Sequence, residues 1–454
     1  MLTRRFLLTT AVAVAVLAPT AAFAWRRPML DPGFGPQKSA SPLQIDPLDA
    51  ATRTSRITWL EANATKLSSI DFDEDDFRDL ESLRKAIGNS RIVMLGEMSH
   101  GDGTAFRAKA RMVRFLHETM GFDVLAFESG LYDMHKVWEM IDDGGSARRA
   151  ARRGLHGVWS RSRQVQPLLD YVGKRADSRR PLELAGFDWQ LAGSASHDHM
   201  MDDLASFLAD NKIDYKLIPH WRRFRHLMDR ITEKSNDGSW KPSADDQKLM
   251  LATYDMLAEQ LATAESDKAD FWRQVIKSTK AMLEVLFRTA DVKNPKPEEL
   301  NARDAAMADN LVWLARHAYP QRKIIVWAAS YHNARNYKAD AQSPLVPMGE
   351  HVWKEFGEQV YSVAFTAFDG YTGWAGQRAT ELPAAPRDSL EELWNATSHR
   401  RAFLDLRKLP DGGDWLKAPF AARALVGETA VADWSKMFDG LVFLRTMRPS
   451  RAVD

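Results

Sequence analysis

The stretch Arg91-Ile92-Val93-Met94-Leu95-Gly96-Glu97-Met98-Ser99-His100-Gly101-Asp102-Gly103 decides the fold. Its first part is a short apolar, β-branched run, the pattern of a strand buried on both faces. The glycines that follow allow a sharp turn and a close approach of backbone to a ligand. From 104 to 120 the apolar residues recur at helical spacing. A second apolar run occupies 124–127, so the segment reads strand, turn, helix, strand, the crossover unit of a parallel sheet. Similar runs stand at 182–187, 323–328, 360–365 and 441–444, and a helical pattern at 132–141 separates two of the early ones. The expected fold is α/β: a central, mostly parallel sheet flanked by helices.

Upstream, 54–67 and 75–87 carry helical spacing. The acidic run Asp71, Asp73, Glu74, Asp75 and Asp76 is read as a helix start, because an EF-hand loop from Asp71 needs Gly where Asp76 stands and Glu where Ser82 stands. Between about 199 and 319 strands vanish and amphipathic helices take over, with a break near 235–243 that contains Asn236-Asp237-Gly238 and Pro242. This region is expected to be a large helical insertion acting as a cap. It lies inside one domain spanning 51–454, with no internal repeat.

The N-terminus reads as an export signal over 1–24: Arg4 and Arg5, an apolar run at 6–17, then Ala22-Phe23-Ala24 as a cleavage site. Thr3-Arg4-Arg5-Phe6-Leu7 suits a twin-arginine or an ordinary signal equally. The run is shorter than the ~20 residues a spanning helix needs, so no stable membrane anchor is expected after cleavage. A periplasmic or secreted protein beginning near Trp25 is expected, with 25–50, which carries several Pro and Gly, as a linker. The chain has no cysteine, which removes disulfides, thiolate metal sites and a Cys nucleophile. Its 62 Lys and Arg against 61 Asp and Glu leave a formal charge of +1, so no overall field favours nucleic acid or an anionic membrane. Arg148, Arg149, Arg152 and Arg153 lack interleaved aromatics and read as a solvated helix face. The expected partner is a small molecule.

In open parallel sheets ligands bind beyond the carboxyl ends of the strands. Glu97 and His100 follow the first strand, Glu128 the second, Asp188 ends the third, and Ser330, Tyr331 and His332 follow 323–328. Such carboxylates and imidazoles at one edge suit general acid–base chemistry. Trp159, Trp189 and Tyr331 are candidates to line a pocket, with the core or its rim as the competing placement for each Trp. No Gly-x-Ser-x-Gly elbow is present, so Ser99, Ser129 and Ser330 are read as hydrogen-bonding groups. His197-Asp198-His199 could join His100, His332, Glu97 and Glu128 in a catalytic metal site, or could open a helix capped by Ser196. A non-catalytic periplasmic ligand-binding protein using the same edge is the reading from a different class.

Gly96-Glu97-x-Ser99-His100-Gly101, the helix after it and Gly121-Phe122-x-x-Leu125-Ala126-Phe127-Glu128 resemble the signature block of the erythromycin esterase family. Gly186-x-Asp188, Arg303-Asp304-x-x-Met307-Ala308-x-Asn310 and Trp327-Ala328 leading to His332 extend the resemblance over about 70–370. It implies metal-independent hydrolysis of a carboxylic ester or lactone, with macrolide antibiotics as the family's named example, and no cofactor. His100 would be the general base, Glu97 or Glu128 would orient it or the water, and His332 would assist. Lys109 or Arg107 would supply positive charge to the oxyanion and to substrate. The sequence departs from the erythromycin-degrading pattern at Lys109 (Arg there), Thr104 (often Glu) and Ala329 (His). The resemblance therefore carries the fold and general site further than it carries the substrate.

Overall fold

The computed structural model describes residues 45–233, 240–292, 294–337 and 344–453. The signal segment 1–24, nearly all of the 25–50 linker and the break at 236–238 lie outside the described residues.

Eleven strands are present among them: β1 (Thr65–Lys66), β2 (Ile92–Leu95), β3 (Phe122–Gly130), β4 (Glu183–Asp188), β5 (Lys323–Trp327), β6 (Val360–Thr372), β7 (Thr380–Glu381), β8 (Arg401–Asp405), β9 (Phe420–Ala422), β10 (Ala430–Ala432) and β11 (Gly440–Met447). The main sheet runs β1-β8-β11-β6-β2-β5-β3-β4, with β7 on the end of β6. Six adjacent strands, from β11 to β4, are mutually parallel. β8 joins antiparallel to β11, and β1 antiparallel to β8. The α/β sheet expected from the sequence is thus present, extended by an antiparallel edge.

Alternation along each strand builds the two faces. Ile92, Met94, Val124, Ala126, Ile324 and Val326 enter one core, and Val93, Leu95, Leu125, Phe127, Ile325 and Trp327 enter the other. Each fully buried aliphatic chain contributes ~1.5–3 kcal/mol, and a one-residue slip would exchange the two faces at every position, so the register is strongly specified. The first core is shared with the helices Ser194–Asp210, Trp221–Thr232, Ala244–Leu261, Asp267–Arg288 and Pro297–Trp313.

The first helix covers Ala50–Asn63, so it begins and ends four residues before the pattern at 54–67, because Thr65 and Lys66 pair with β8. The acidic run is spent on ion pairs: Asp71 with Arg107, Asp75 with Arg114, and Asp76 with Arg78, while Asp79 beyond it pairs with Arg111. β5 lies between β2 and β3, although it follows them in the chain by about two hundred positions. That interposition brings the ends of β2, β5 and β3 side by side.

Candidate active site

Leu95, Trp327 and Phe127 stand in register across β2, β5 and β3, so the residues that follow them, Gly96, Ala328 and Glu128, lie side by side at one level. Close packing at this level leaves room only for glycine at 96, where a Cβ would stand 2.4 Å from Ser330 Oγ. Glu97 is fully buried. Its Oε1 accepts from His100 Nδ1 at 3.0 Å and from Trp159 Nε1 at 2.9 Å. Its Oε2 is paired with the Lys109 ammonium. Trp159, on the short helix Gly157–Ser160, also sets its ring edge-on to His100, with centroids 5.0 Å apart.

The other ring nitrogen of His100 faces the second carboxylate, with Nε2 3.8 Å from Glu128 Oε1. Glu128 lies within β3, whose strand runs past the apolar 124–127 expected from the sequence. Its Oε1 is 3.1 Å from Arg303 Nη2 and 3.2 Å from His332 Nε2, and its Oε2 accepts from the Ala329 backbone at 3.0 Å. The His332 contact has ion-pair distance without hydrogen-bond alignment. Arg303 Nη2 also donates to Asp188 at 2.8 Å. Asp304 Oδ1 accepts from His332 Nδ1 at 2.8 Å and from the Met348 amide at 2.7 Å. Arg303 and Asp304, neighbours on the helix Pro297–Trp313, therefore brace both sides of the Glu128–His332 pair. The sequence displays them only as part of a family motif, since a helical position does not reveal which residues of other elements dock against it.

Glu97, His100, Glu128 and His332 thus converge, with Trp159 and Lys109 against Glu97. Five residues expected to meet or line the substrate site stand elsewhere. Arg107 is half exposed on the outer side of its helix and pairs with Asp71, away from this centre. Lys109 is fully buried behind Glu97, near the Ala328 carbonyl and 4.3 Å from the Trp327 ring centroid, so it serves as a counter-ion to Glu97 and not as a cation presented to substrate. Asp188 is buried and engaged by Arg303, which makes it a support and not a substrate contact. Trp189 is buried in the core shared with the helices. Tyr331 is also buried, with its ring edge-on to those of His332 and Tyr337.

His197 and His199 do not join the centre. His197 contacts Thr232, and His199 lies beside Arg153. Among the described residues no group of three or more His, Asp and Glu side chains is arranged to hold a metal ion. The glycines of the motif loop also have a different use from the one expected. A Cβ on Gly101 would stand 2.4 Å from the Gly373 amide nitrogen, and one on Gly103 2.5 Å from the Pro449 carbonyl oxygen. The close approach is to the protein's own backbone.

The electrostatics follow from burial and these partners. Burial opposes the charge of Glu128, but His332, His100 and Arg303 outweigh it and hold its carboxyl well below the usual range. Burial likewise opposes a charged His332, yet Asp304 and Glu128 raise its imidazole to about 10, so it is cationic at neutral pH. Burial depresses Lys109 to about 8 against the pull of Glu97.

Because the folded-state pKa of His332 is above its unfolded value, its stabilising contribution is complete below pH ~6.5 and is lost as pH rises toward about 10. Lys109 acts in the opposite direction: its folded pKa is depressed, so its burial penalty is relieved above about 8. Comparison with His332→Gln separates the two. Urea denaturation of the parent minus the variant should show a stability difference that shrinks from pH 7 to pH 10; a constant difference would contradict the His332 assignment.

With the geometry in place, comparison with known proteins adds the lineage. YbfO of Bacillus subtilis, whose name carries a provisional hydrolase designation, is 27% identical over 418 residues, covering 86% of this chain and 91% of that one. Erythromycin esterase type II of Escherichia coli is 23% identical over 326 residues, 66% of this chain and 74% of its own. Among solved structures, a Bacillus cereus protein superposes with a TM-score of 0.74 at 20% identity, covering 90% of this chain and 100% of that one. An erythromycin esterase mutant in its open conformation superposes with a TM-score of 0.68 at 22% identity, covering 86% and 99%. These superpositions establish the shared fold. The family model for erythromycin esterase matches residues 117–447, which takes in Glu128, Arg303, Asp304 and His332 and begins after the Glu97–Lys109 block. That match covers well over half of the sequence, and the chain belongs to the erythromycin esterase family.

Proposed function

We propose that this protein is an exported hydrolase that cleaves a carboxylic ester or lactone with a water molecule activated by His100. The observation that carries the reading is a buried imidazole with a carboxylate at each ring nitrogen: Glu97 Oε1 at 3.0 Å from Nδ1 and Glu128 Oε1 at 3.8 Å from Nε2. With Nδ1–H donated to Glu97, Nε2 carries the lone pair. Nε2 takes a proton from water, the hydroxide oxygen bonds to the carbonyl carbon, and the tetrahedral oxyanion collapses by breaking the bond to the alkoxide oxygen. The alkoxide then recovers the proton from His100, leaving acid and alcohol, or one hydroxy acid from a lactone.

Glu97, held in place by Lys109 and Trp159, stabilises the imidazolium formed in the first step. Glu128, held by Arg303 and His332, is a poor base and instead positions water. His332, held cationic by Asp304, supplies the positive charge for the developing oxyanion in a buried setting where such charge is effective. No step draws on a metal or a cofactor. The expected substrate is a small apolar ester, with macrolides, the substrate class in the name of the Escherichia coli relatives, as the first candidates.

One preparation tests the reading. The chain is expressed from Met1 and purified from the periplasmic fraction, where its mass should place the N-terminus near Trp25. It is then incubated with macrolides and simple esters, with and without chelator. Hydrolysis unchanged by chelator is the expected result. Activity abolished by chelator and restored by a divalent ion would replace it with metal-dependent hydrolysis. Tight binding without product would make the protein a ligand-binding member of the family.

A further inference from the structure

His100, on the loop after β2, and Trp159, on the short helix Gly157–Ser160, both donate to Glu97, and a third segment ties these two stretches together. Residues 448–453 follow β11 and run between them. On one side the Ser450 amide donates to the Gly101 carbonyl at 2.8 Å and to the Gly373 carbonyl at 3.1 Å, and Pro449 bridges to Asp102. On the other side the Arg163 amide donates to the Arg451 carbonyl at 2.7 Å, the Val453 amide donates to the Arg161 carbonyl at 3.0 Å, and Ala452 bridges to Ser162. In the middle the two hydroxyls of Ser450 and Ser162, both buried, are 2.8 Å apart.

Asp102 completes the arrangement from within the His100 loop. It is fully buried. Its Oδ2 accepts from the Ser99 amide at 2.9 Å, closing the turn around His100, and its Oδ1 accepts from Thr372 Oγ1 at 2.7 Å, anchoring that turn to the end of β6. Glycine at 101 lets this loop lie directly on Gly373. No atom of Asp102 or of the tail belongs to the catalytic groups; each acts on a stretch that carries one of them.

We propose that Asp102, Thr372 and the segment 448–453 form a clasp that sets the position of the His100 imidazole relative to Glu97 and Trp159, with Asp102 as the positioning residue. Asp102 and the segment 448–453 lie outside residues 117–447 matched by the family model, whereas Thr372 and residues 161–163 lie inside it. The clasp's kinetic consequence rests on the hydrolase reading above; its structural consequence does not.

The test uses Thr372→Val, which removes the donor to Asp102 at nearly constant volume, Thr372→Ser, which keeps it, and a chain ending at Met447. Each is measured for thermal midpoint, kcat and KM, and for the 13Cε1 resonance of His100, assigned by its loss in His100→Asn. The expected result is a roughly tenfold fall in kcat for Thr372→Val with KM within twofold, a displaced His100 resonance, and recovery of both in Thr372→Ser, as follows when a catalytic group is misplaced by a fraction of an ångström. The chain ending at Met447 should show the same displacement. If it does not fold, the Thr372 pair decides alone. An unmoved His100 resonance and unchanged kcat in Thr372→Val would overturn the clasp. A parent without hydrolytic activity would defeat the hydrolase reading while the resonance still reports on the clasp.

Discussion

Replacing His100 by Asn lowers kcat on a hydrolysed ester by about 10²–10⁴, the range for removal of a general base, while KM stays within a few-fold. Asn retains much of the volume beside Trp159 and offers an amide to Glu97, so the buried carboxylate keeps a partner and the fold persists. The check is a steady-state comparison at pH 7.5 with circular dichroism on the same samples. An Asn variant with more than a tenth of the parent activity would remove His100 from the role of base. The size of the effect rests on the surroundings of Nε2. Glu97 orients Nδ1, while Glu128 is already held by Arg303 and His332 and is too weak a base to substitute.

Arg303→Met destabilises the protein by ~3–5 kcal/mol, as expected when one member of a buried ionic network is removed and its partners are left in place. Arg303 is almost fully buried and lies within hydrogen-bond reach of Glu128 and Asp188. The folded-state carboxyl of Glu128 is depressed, so its contribution to stability is present above its unfolded pKa and disappears as pH falls. The deficit of the variant should therefore be largest near pH 7 and shrink in acid, where the orphaned carboxylates take up protons. Equilibrium urea denaturation at both pH values reads this. A loss under 1 kcal/mol, or one that grows in acid, would show that Arg303 does not carry the network. Arg303→Lys should recover only part of the loss, because an ammonium has no planar fork with which to reach two carboxylates.

Strand periodicity made the centre of the sheet readable. The runs at 91–95, 124–127 and 323–328 are short, apolar on both faces and followed by polar residues, so the rule that ligands gather at strand ends led directly to Glu97, His100, Glu128 and His332. What it left unread has particular causes. β8 is a short run beginning at Arg401 and ending at Asp405, and β1 has only Thr65 and Lys66, too little pattern for either to stand out. Lys109 is expected from the sequence as a cation for the oxyanion and is instead the buried counter-ion of Glu97, because helical spacing gives direction around an axis and not depth relative to a neighbour. Asp102 carries no distinguishing mark in the sequence, since its partners Thr372 and Pro449 are remote from it along the chain. The helices between Ser194 and Trp313 were legible as helices, but their contribution of Arg303 and Asp304 to the centre was visible only once the helix was docked on the sheet.

The clasp also orders events during synthesis. Thr104 pairs with Arg448 across 344 positions, and Gly101 meets Ser450 over a similar span. β5, which completes the row of strand ends under the site, is made long after the β2 and β3 it separates. A chain emerging from the ribosome therefore exposes the edges of β2 and β3 before their shared neighbour exists, and such non-local pairings form slowly. The helix-rich half has mostly local contacts and can take shape earlier. The His100 loop gains its backbone partners at Arg448 and Ser450 only after β11 has been made, so the arrangement around His100 is completed later than the strands that carry it.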